Sequence, residues 1–229
     1  MPLRPVVLQP HEPVAERVLL PGDPGRALRL AQRLIDGPRM LNHHRGLWGY
    51  SGPAADGALL TIQSTGLGGP SAAVVTAELI ALGARRLVRV GTAAGLGTTP
   101  LGALVVAEAV LAGDGASRAL GAGARVGADA VLTEALSRGG ITLRGLVASA
   151  DIHDPALAAG WERAGALACD LATAAVLAAA ARHGAAAGAV LAITRARGQR
   201  LEAAGLEALE MALGTTGAGA LEARAATSR

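Results

Sequence analysis

Arg89 stands two residues before a turn of small residues, in the run Arg86-Leu-Val-Arg-Val-Gly-Thr-Ala-Ala-Gly95. A buried strand that breaks into a Gly/Thr turn presents backbone N–H groups and a hydroxyl at its carboxyl end, where ligands bind in open α/β sheets. Clustered N–H groups favour anions, and arginine adds a permanent, forked cation. A guanidinium within an apolar strand is costly unless an anion answers it; the other reading is an edge-strand arginine facing solvent. Pro21-Gly22-Asp23-Pro24-Gly25-Arg26 carries related chemistry. Gly22 permits close backbone approach, Asp23 and Pro24 suit the N-cap and first position of a helix, and a helix amino terminus draws anions. Arg26 in that first turn is unfavourable unless an anion bridges it to the backbone. Alternatively it shares a solvated face with Arg29 and Arg33. A third stretch, Ser64-Thr-Gly-Leu-Gly-Gly-Pro-Ser71, puts three glycines between a strand and a helix and can line the same crevice; alone, such a pattern says little.

These stretches need a scaffold of alternating elements. Strands are expected at Arg17–Leu20, Gly46–Ser51, Ala58–Ser64, Leu87–Val90, Ala103–Val110, Ile141–Ala148 and Ala187–Thr194. Helices are expected after Pro24, where Ala27, Leu30, Ala31 and Leu34 share one face, and at Ser71–Leu82, Asp129–Ser137, Asp170–His183 and Leu201–Leu213. Strands alternating with helices over one core predict a three-layer α/β domain covering residues 1–229. Residues 1–15 are polar and punctuated by prolines, and residues 215–229 are small and polar, so both ends are expected to be loosely held.

Hydrophobic residues make up 51% and charged residues 17% of the chain, a globular balance. All 21 Lys/Arg positions are arginine, there is no Phe, and the formal charge is only +3. No dense basic run with interleaved aromatics suits single-stranded nucleic acid, and no uninterrupted apolar stretch suits a membrane span. A single cysteine, Cys169, excludes an intramolecular disulfide framework, and Met1–Glu12 has no apolar signal core, so a cytoplasmic setting is expected. The five histidines and one cysteine show no ligand spacing, so neither a metal nor an organic cofactor is expected.

Taken together, Pro21–Arg26, Ser64–Ser71, Arg89-Val-Gly-Thr92 and Asp114-Gly-Ala-Ser117 resemble, in order and spacing, the purine nucleoside/uridine phosphorylase family. The Ser64–Ser71 loop is most similar to the uridine phosphorylase branch. The likeness runs from Arg17 to about Leu213. It implies an α/β/α fold with a mixed, partly barrel-like central sheet. It also implies a homo-oligomer, with a dimer as the minimal unit and a hexamer as the full one. The implied reaction is phosphorolysis of a nucleoside to free base and ribose 1-phosphate, with inorganic phosphate as co-substrate.

By that resemblance Gly22, Arg26, Arg89 and Thr92 bind phosphate, and Arg45 is the arginine that a neighbouring subunit contributes. Guanidiniums and a hydroxyl around one dianion make forked, charge-assisted hydrogen bonds. They would stabilise an oxocarbenium-like sugar by position and charge. Thr92, Ala93, Asp170, Leu171 and Ala172 line up with the nucleoside-binding segments. The family triplet Glu-Met-Glu reads Asp170-Leu171-Ala172 here, so the Glu that holds the ribose hydroxyls is missing. Asp170 reads either as a helix cap or as a sugar ligand. Arg195 stands where purine-specific members carry a base-protonating Asp; it resembles the uridine branch and, with Arg89, is assigned to catalysis. Arginine cannot be a general acid near neutrality, but it can stabilise a departing pyrimidine anion. The uracil-gripping pair expected between Asp151 and Trp161 is absent, and His153 is the one substitute. His11 matches the family's amino-terminal histidine donated across an interface, with a shorter spacing to Gly22. A water-using nucleosidase would have no use for the arginines around an anion. The remaining alternative is a non-catalytic or altered-substrate member that binds phosphate or a sugar phosphate.

Overall fold

A computed structural model describes residues 4–139 and 142–222. The strands are β1 (Arg17–Pro21), β2 (Arg39–Asn42), β3 (Gly49–Pro53), β4 (Leu59–Gln63), β5 (Arg86–Gly95), β6 (Leu104–Ala112), β7 (Arg125–Gly127), β8 (Thr142–Ser149), β9 (Ala168–Asp170), β10 (Ala186–Ala196) and β11 (Gln199–Arg200). The helices are α1 (Pro24–Leu34), α2 (Gly68–Ala81), α3 (Gly115–Ala119), α4 (Ala130–Ser137), α5 (Pro155–Arg163), α6 (Thr173–Arg182) and α7 (Ala203–Glu222). Ile141, the expected start of the β8 strand, lies outside the described residues.

All eleven strands join one mixed sheet. Its centre closes on itself: β5 pairs with β10, β10 with β6, β6 with β8, β8 with β9, and β9 returns to β5. This is the barrel-like sheet that the family resemblance implied. From β5 the sheet continues through β1 and β4 to β3 and β2. Strands β1, β4, β5 and β10 lie parallel, so their carboxyl ends gather on one rim.

Both faces of the sheet are covered, so its central strands are apolar on both sides. Leu87, Leu191 and Ile193 face a core with Val75 and Leu79 of α2 and Val176 of α6. Val88, Val90, Val190 and Ala192 face a second core with Leu30 of α1, Leu132 and Leu136 of α4, and Leu213 and Leu221 of α7. Helix α1 begins as its sequence dictates: the Asp23 carboxylate accepts the Arg26 N–H at 2.7 Å and Pro24 takes the first turn.

Several elements differ from the sequence expectation: β2, α3, β7 and β11 have no expected counterpart, and the strand expected from Gly46 begins at Gly49, after a 3-10 turn. The helix expected from Asp170 begins instead at Thr173 as α6, because Asp170 ends the short strand β9 and pairs with Ser149 of β8. Helix α5, capped by Asp154, stands where the sequence reading expected no element. The expected loose carboxyl end continues as α7 to Glu222, with Gly214, Thr216, Gly217, Ala220 and Leu221 buried; residues 223–229 lie outside the described part. The lead is also docked. The Glu78 carboxylate, 3% exposed on α2, accepts the backbone N–H groups of Val6 (2.8 Å), Val7 (3.0 Å) and Leu8 (2.7 Å). A distant buried carboxylate, which no local pattern announces, replaces the missing strand partner.

Candidate active site

The rim of parallel carboxyl ends holds a cavity of about 420 Å³. Gly22, Arg26, Arg89, Thr92, Ala93, Asp170, Leu171, Ala172 and Arg195 all wall it. The register explains the convergence. Pro21 pairs with Val90, so Gly22 enters beside Gly91; Ala192 pairs with Thr92; and Cys169 pairs with Ala94, which places Asp170 next to Ala93. Between Ile193 and Arg195 the pairing with β5 slips by one residue. Such a bulge re-aims side chains, and here both Thr194 and Arg195 line the cavity. Gly66 and Gly68 of the Ser64–Ser71 loop complete the wall with φ of +73° and +78°, the left-handed region that glycine tolerates. Asp114 of the fourth motif stays out of the cavity: fully buried, it caps α3 through the Ser117 N–H at 2.7 Å.

Arg89 is 6% exposed and lies on a central strand, which removes the edge-strand reading. Its answering anion is within the chain. Nε and Nη2 donate to Asp170 Oδ2 at 3.1 and 3.0 Å, and Nε also reaches Thr173 Oγ1. Asp170 is saturated with donors: Ser149 Oγ at 2.5 Å, Thr173 Oγ1 at 2.7 Å, and the Thr173 N–H at 3.1 Å. It therefore takes the first N–H of α6, whose N-cap position is Ala172, and neutralises Arg89 at once, while walling the cavity. Burial and the nearby Asp170 charge push the adjacent Cys169 thiol up to about 12, so it stays a protonated, unreactive thiol.

Arg26 is 7% exposed, so it does not belong to a solvated face with Arg29 and Arg33. Its Nη2 lies 2.9 Å from Glu210 Oε1, and Arg29 takes the other oxygen of the same carboxylate. Glu210, on α7, carried no recognisable signal in the sequence. Among the described residues, two buried guanidinium nitrogens have no protein partner: Nε of Arg26 and Nη1 of Arg89. A buried N–H left unpaired is expensive, and the two guanidiniums that bear these atoms wall the cavity. Gly91 makes room for this arrangement, since a Cβ there would come within 3.1 Å of Arg89 Nη2 and 2.9 Å of Leu191 Cδ2.

At the opposite end of the cavity, the exposed Arg195 Nη2 lies 3.0 Å from His153 Nε2. His153, exposed on the loop before α5, also walls the cavity. Ala172, 1% exposed, offers no polar atom beyond its backbone. Arg45 is not in this cavity. It is exposed on a short 3-10 turn, His44–Gly46, at φ +57°, and lines a separate concavity with Leu47, Ser71 and Val74.

The expectation that the histidines form no ligand cluster does not hold. One nitrogen each of His11, His43 and His44 lies within 4.8 Å of the others. The lead folds back so that the His11 N–H donates to Leu41 O at 2.8 Å, a return over some thirty residues that linear spacing cannot reveal.

The closed part of the sheet thus carries an arginine-walled cavity at its carboxyl rim. Residues 16–212 match the sequence profile of the Phosphorylase superfamily, and the chain belongs to that family. A DeoD-type purine nucleoside phosphorylase of Exiguobacterium sp. is 43% identical over 84 residues, which are 36% of this chain and 35% of that one. A uridine phosphorylase of Treponema pallidum is 37% identical over 106 residues, 46% of this chain and 40% of that one. The matched stretch thus spans about a third to two fifths of these curated relatives. The crystal structure of uridine phosphorylase from Vibrio fischeri ES114, complexed with 6-hydroxy-1-naphthoic acid, superposes with a TM-score of 0.80 at 25% identity, covering 91% of this chain and 90% of that one.

Proposed function

We propose that the chain is a nucleoside phosphorylase acting on a pyrimidine nucleoside of the uridine type. The observation that carries this reading is the pair Arg26 and Arg89: both wall one cavity, and each has a buried guanidinium nitrogen that no protein group among the described residues satisfies. Inorganic phosphate is the co-substrate that fits them, with Gly22 and Thr92 beside it. The phosphate oxygen attacks the anomeric carbon, the glycosidic C–N bond breaks, and its electron pair leaves with the base. Arg89 and Arg26 hold the attacking oxyanion against the sugar, and Leu171 packs on the ribose. Arg195, braced by His153, stabilises the base anion until it takes a proton from water. Arg45 serves the cavity of a neighbouring subunit.

The test is a nucleoside panel incubated with purified protein, with and without phosphate. Release of uracil that requires phosphate and yields ribose 1-phosphate supports the reading. Release without phosphate, or none from any nucleoside by folded protein, overturns it. One observation favours a second reading, a phosphate or sugar-phosphate binder without turnover: Ala172 fills the place of the ribose-holding Glu. Calorimetry that detects phosphate but no nucleoside would select it.

A further inference from the structure

We propose that His11, His43 and His44 form a three-imidazole site for a divalent transition ion of the zinc class, which staples the lead residues to the turn that follows β2. One nitrogen from each ring lies within 4.8 Å of the other two. The rings stand face to face, His43 with His44 at 4.9 Å between centroids and His11 with His43 at 5.5 Å. The backbones beneath them are fixed. Asn42, fully buried, accepts the Gln9 N–H at 3.0 Å on the lead and donates to Leu47 O at 2.6 Å beyond the turn, so one side chain sets the distance between the two arms. Outside the cluster, Glu12 is tied to Arg39 at 2.8 Å. The imidazoles themselves are free to swing: His11 and His43 are exposed, and none of the three rings has a hydrogen bond to protein among the described residues.

The donor set selects the ion. Three neutral nitrogen ligands with no carboxylate among them suit zinc, copper or nickel and not calcium or magnesium, which want oxygen. Zinc bonds imidazole nitrogen at about 2.0–2.1 Å, so tetrahedral ligands sit about 3.4 Å apart. Three protein ligands leave a fourth position for water or an anion. The ion would join residue 11 to residues 43 and 44 and hold the strained turn that carries Arg45. The site stands on these three residues and does not depend on phosphorolysis.

The experiment is a titration of the full chain, without a histidine tag and stripped with chelator, with Zn²⁺ by calorimetry and with Co²⁺ by visible absorption. The comparison proteins are His11→Gln, His43→Gln and the triple His→Gln variant. The expected result is one Zn²⁺ per chain with micromolar or tighter affinity. Each single variant should bind at least about tenfold more weakly. The Co²⁺ form should show the intense d–d bands of a low-coordinate nitrogen site, absent from the triple variant. Saturating Zn²⁺ should raise Tm only where the three histidines are present. Equal binding by wild type and triple variant, affinity no better than millimolar, or one ion per two chains overturns the site. If the triple variant fails to fold, His11→Gln alone decides, because its side chain is exposed.

Discussion

Asp170 and Arg89 form an ion pair whose side chains are 1% and 7% exposed, at 3.0 Å. A carboxylate this close lowers the positive potential that an incoming phosphate would meet, yet it also keeps the guanidinium from being buried alone. Asp170→Asn separates the two effects, because the amide oxygen can still accept the Thr173 N–H. Phosphate affinity should rise on the order of tenfold, about 1.4 kcal/mol, while stability falls by about 3 kcal/mol as Arg89 loses its internal counter-charge. Calorimetry and chemical denaturation read the two separately; weaker phosphate binding would mean that Asp170 positions Arg89 more than it neutralises it. A simpler acid–base group lies at the β3–β4 turn. The Arg17 guanidinium, donating to Asp56 at 2.6 Å, holds that carboxyl down to about 2 against an ordinary 3.8. A depressed folded-state value stabilises the protein above the unfolded value and ceases to do so as pH falls through the folded one. Asp56→Asn should therefore lower Tm at pH 6, and the difference from wild type should shrink between about pH 4 and pH 2. A difference independent of pH would assign the effect to the shape of the turn.

At the scale of elements, α7 shows where small residues lead a reader of sequence astray. Its Gly214, Gly217 and Gly219 look like a fraying tail. In the fold, a Cβ on Gly217 would lie 2.7 Å from Val90 Cγ1 and 2.9 Å from Leu19 Cδ2, so the helix rests directly on the sheet through its missing side chains. Gly219, by contrast, is exposed and has nothing within 4 Å. Gly217→Val should cost about 2 kcal/mol by overpacking, a Tm lower by about 6 °C. Gly219→Ala should be stabilising, by up to about 1 kcal/mol from helix propensity. Equal effects in thermal melts would show that α7 does not pack as described. The same contrast marks what was legible. Asp23-Pro24 announces the start of α1 by local chemistry, and the apolar runs of β5 and β10 announce a buried parallel centre. The Gly/Thr break after Val90 announces a ligand rim, and the predicted residues other than Arg45 do wall one cavity. What stayed hidden depends on partners far away in the chain. Glu78 satisfies the lead, Glu210 reaches back to Arg26, and Asn42 brings His11 to His43. The boundary between β9 and α6 is not legible because it depends on the pairing of Asp170 with Ser149, a partner on another strand.

For the whole molecule, the open question is how many chains complete one site. Within a protomer the cavity holds Arg26 and Arg89, each already facing a carboxylate, while Arg45 stands on a separate exposed turn. A phosphate dianion placed between them meets two guanidiniums already paired with carboxylates, and the other arginine of the wall, Arg195, is the one assigned to the base. A third guanidinium from a neighbour would supply the balance. That arrangement makes a prediction no monomeric site can share. Arg45→Ala should abolish most turnover while leaving the melting curve unchanged, because the side chain is exposed. Arg26→Gln should also abolish it and should fold, because Glu210 keeps its bond to Arg29. Each variant alone is inactive. When the two are unfolded together and refolded in equal amounts, half of the resulting dimers are mixed. In a mixed dimer, the Arg45→Ala subunit retains its own Arg26 and receives Arg45 from its partner, so one of the two sites is intact. About a quarter of the wild-type phosphorolytic activity should return. Activity that stays at the level of the separate variants, in a mixture shown by mass spectrometry to contain mixed assemblies, would remove Arg45 from the site and leave the cavity to the residues of one chain.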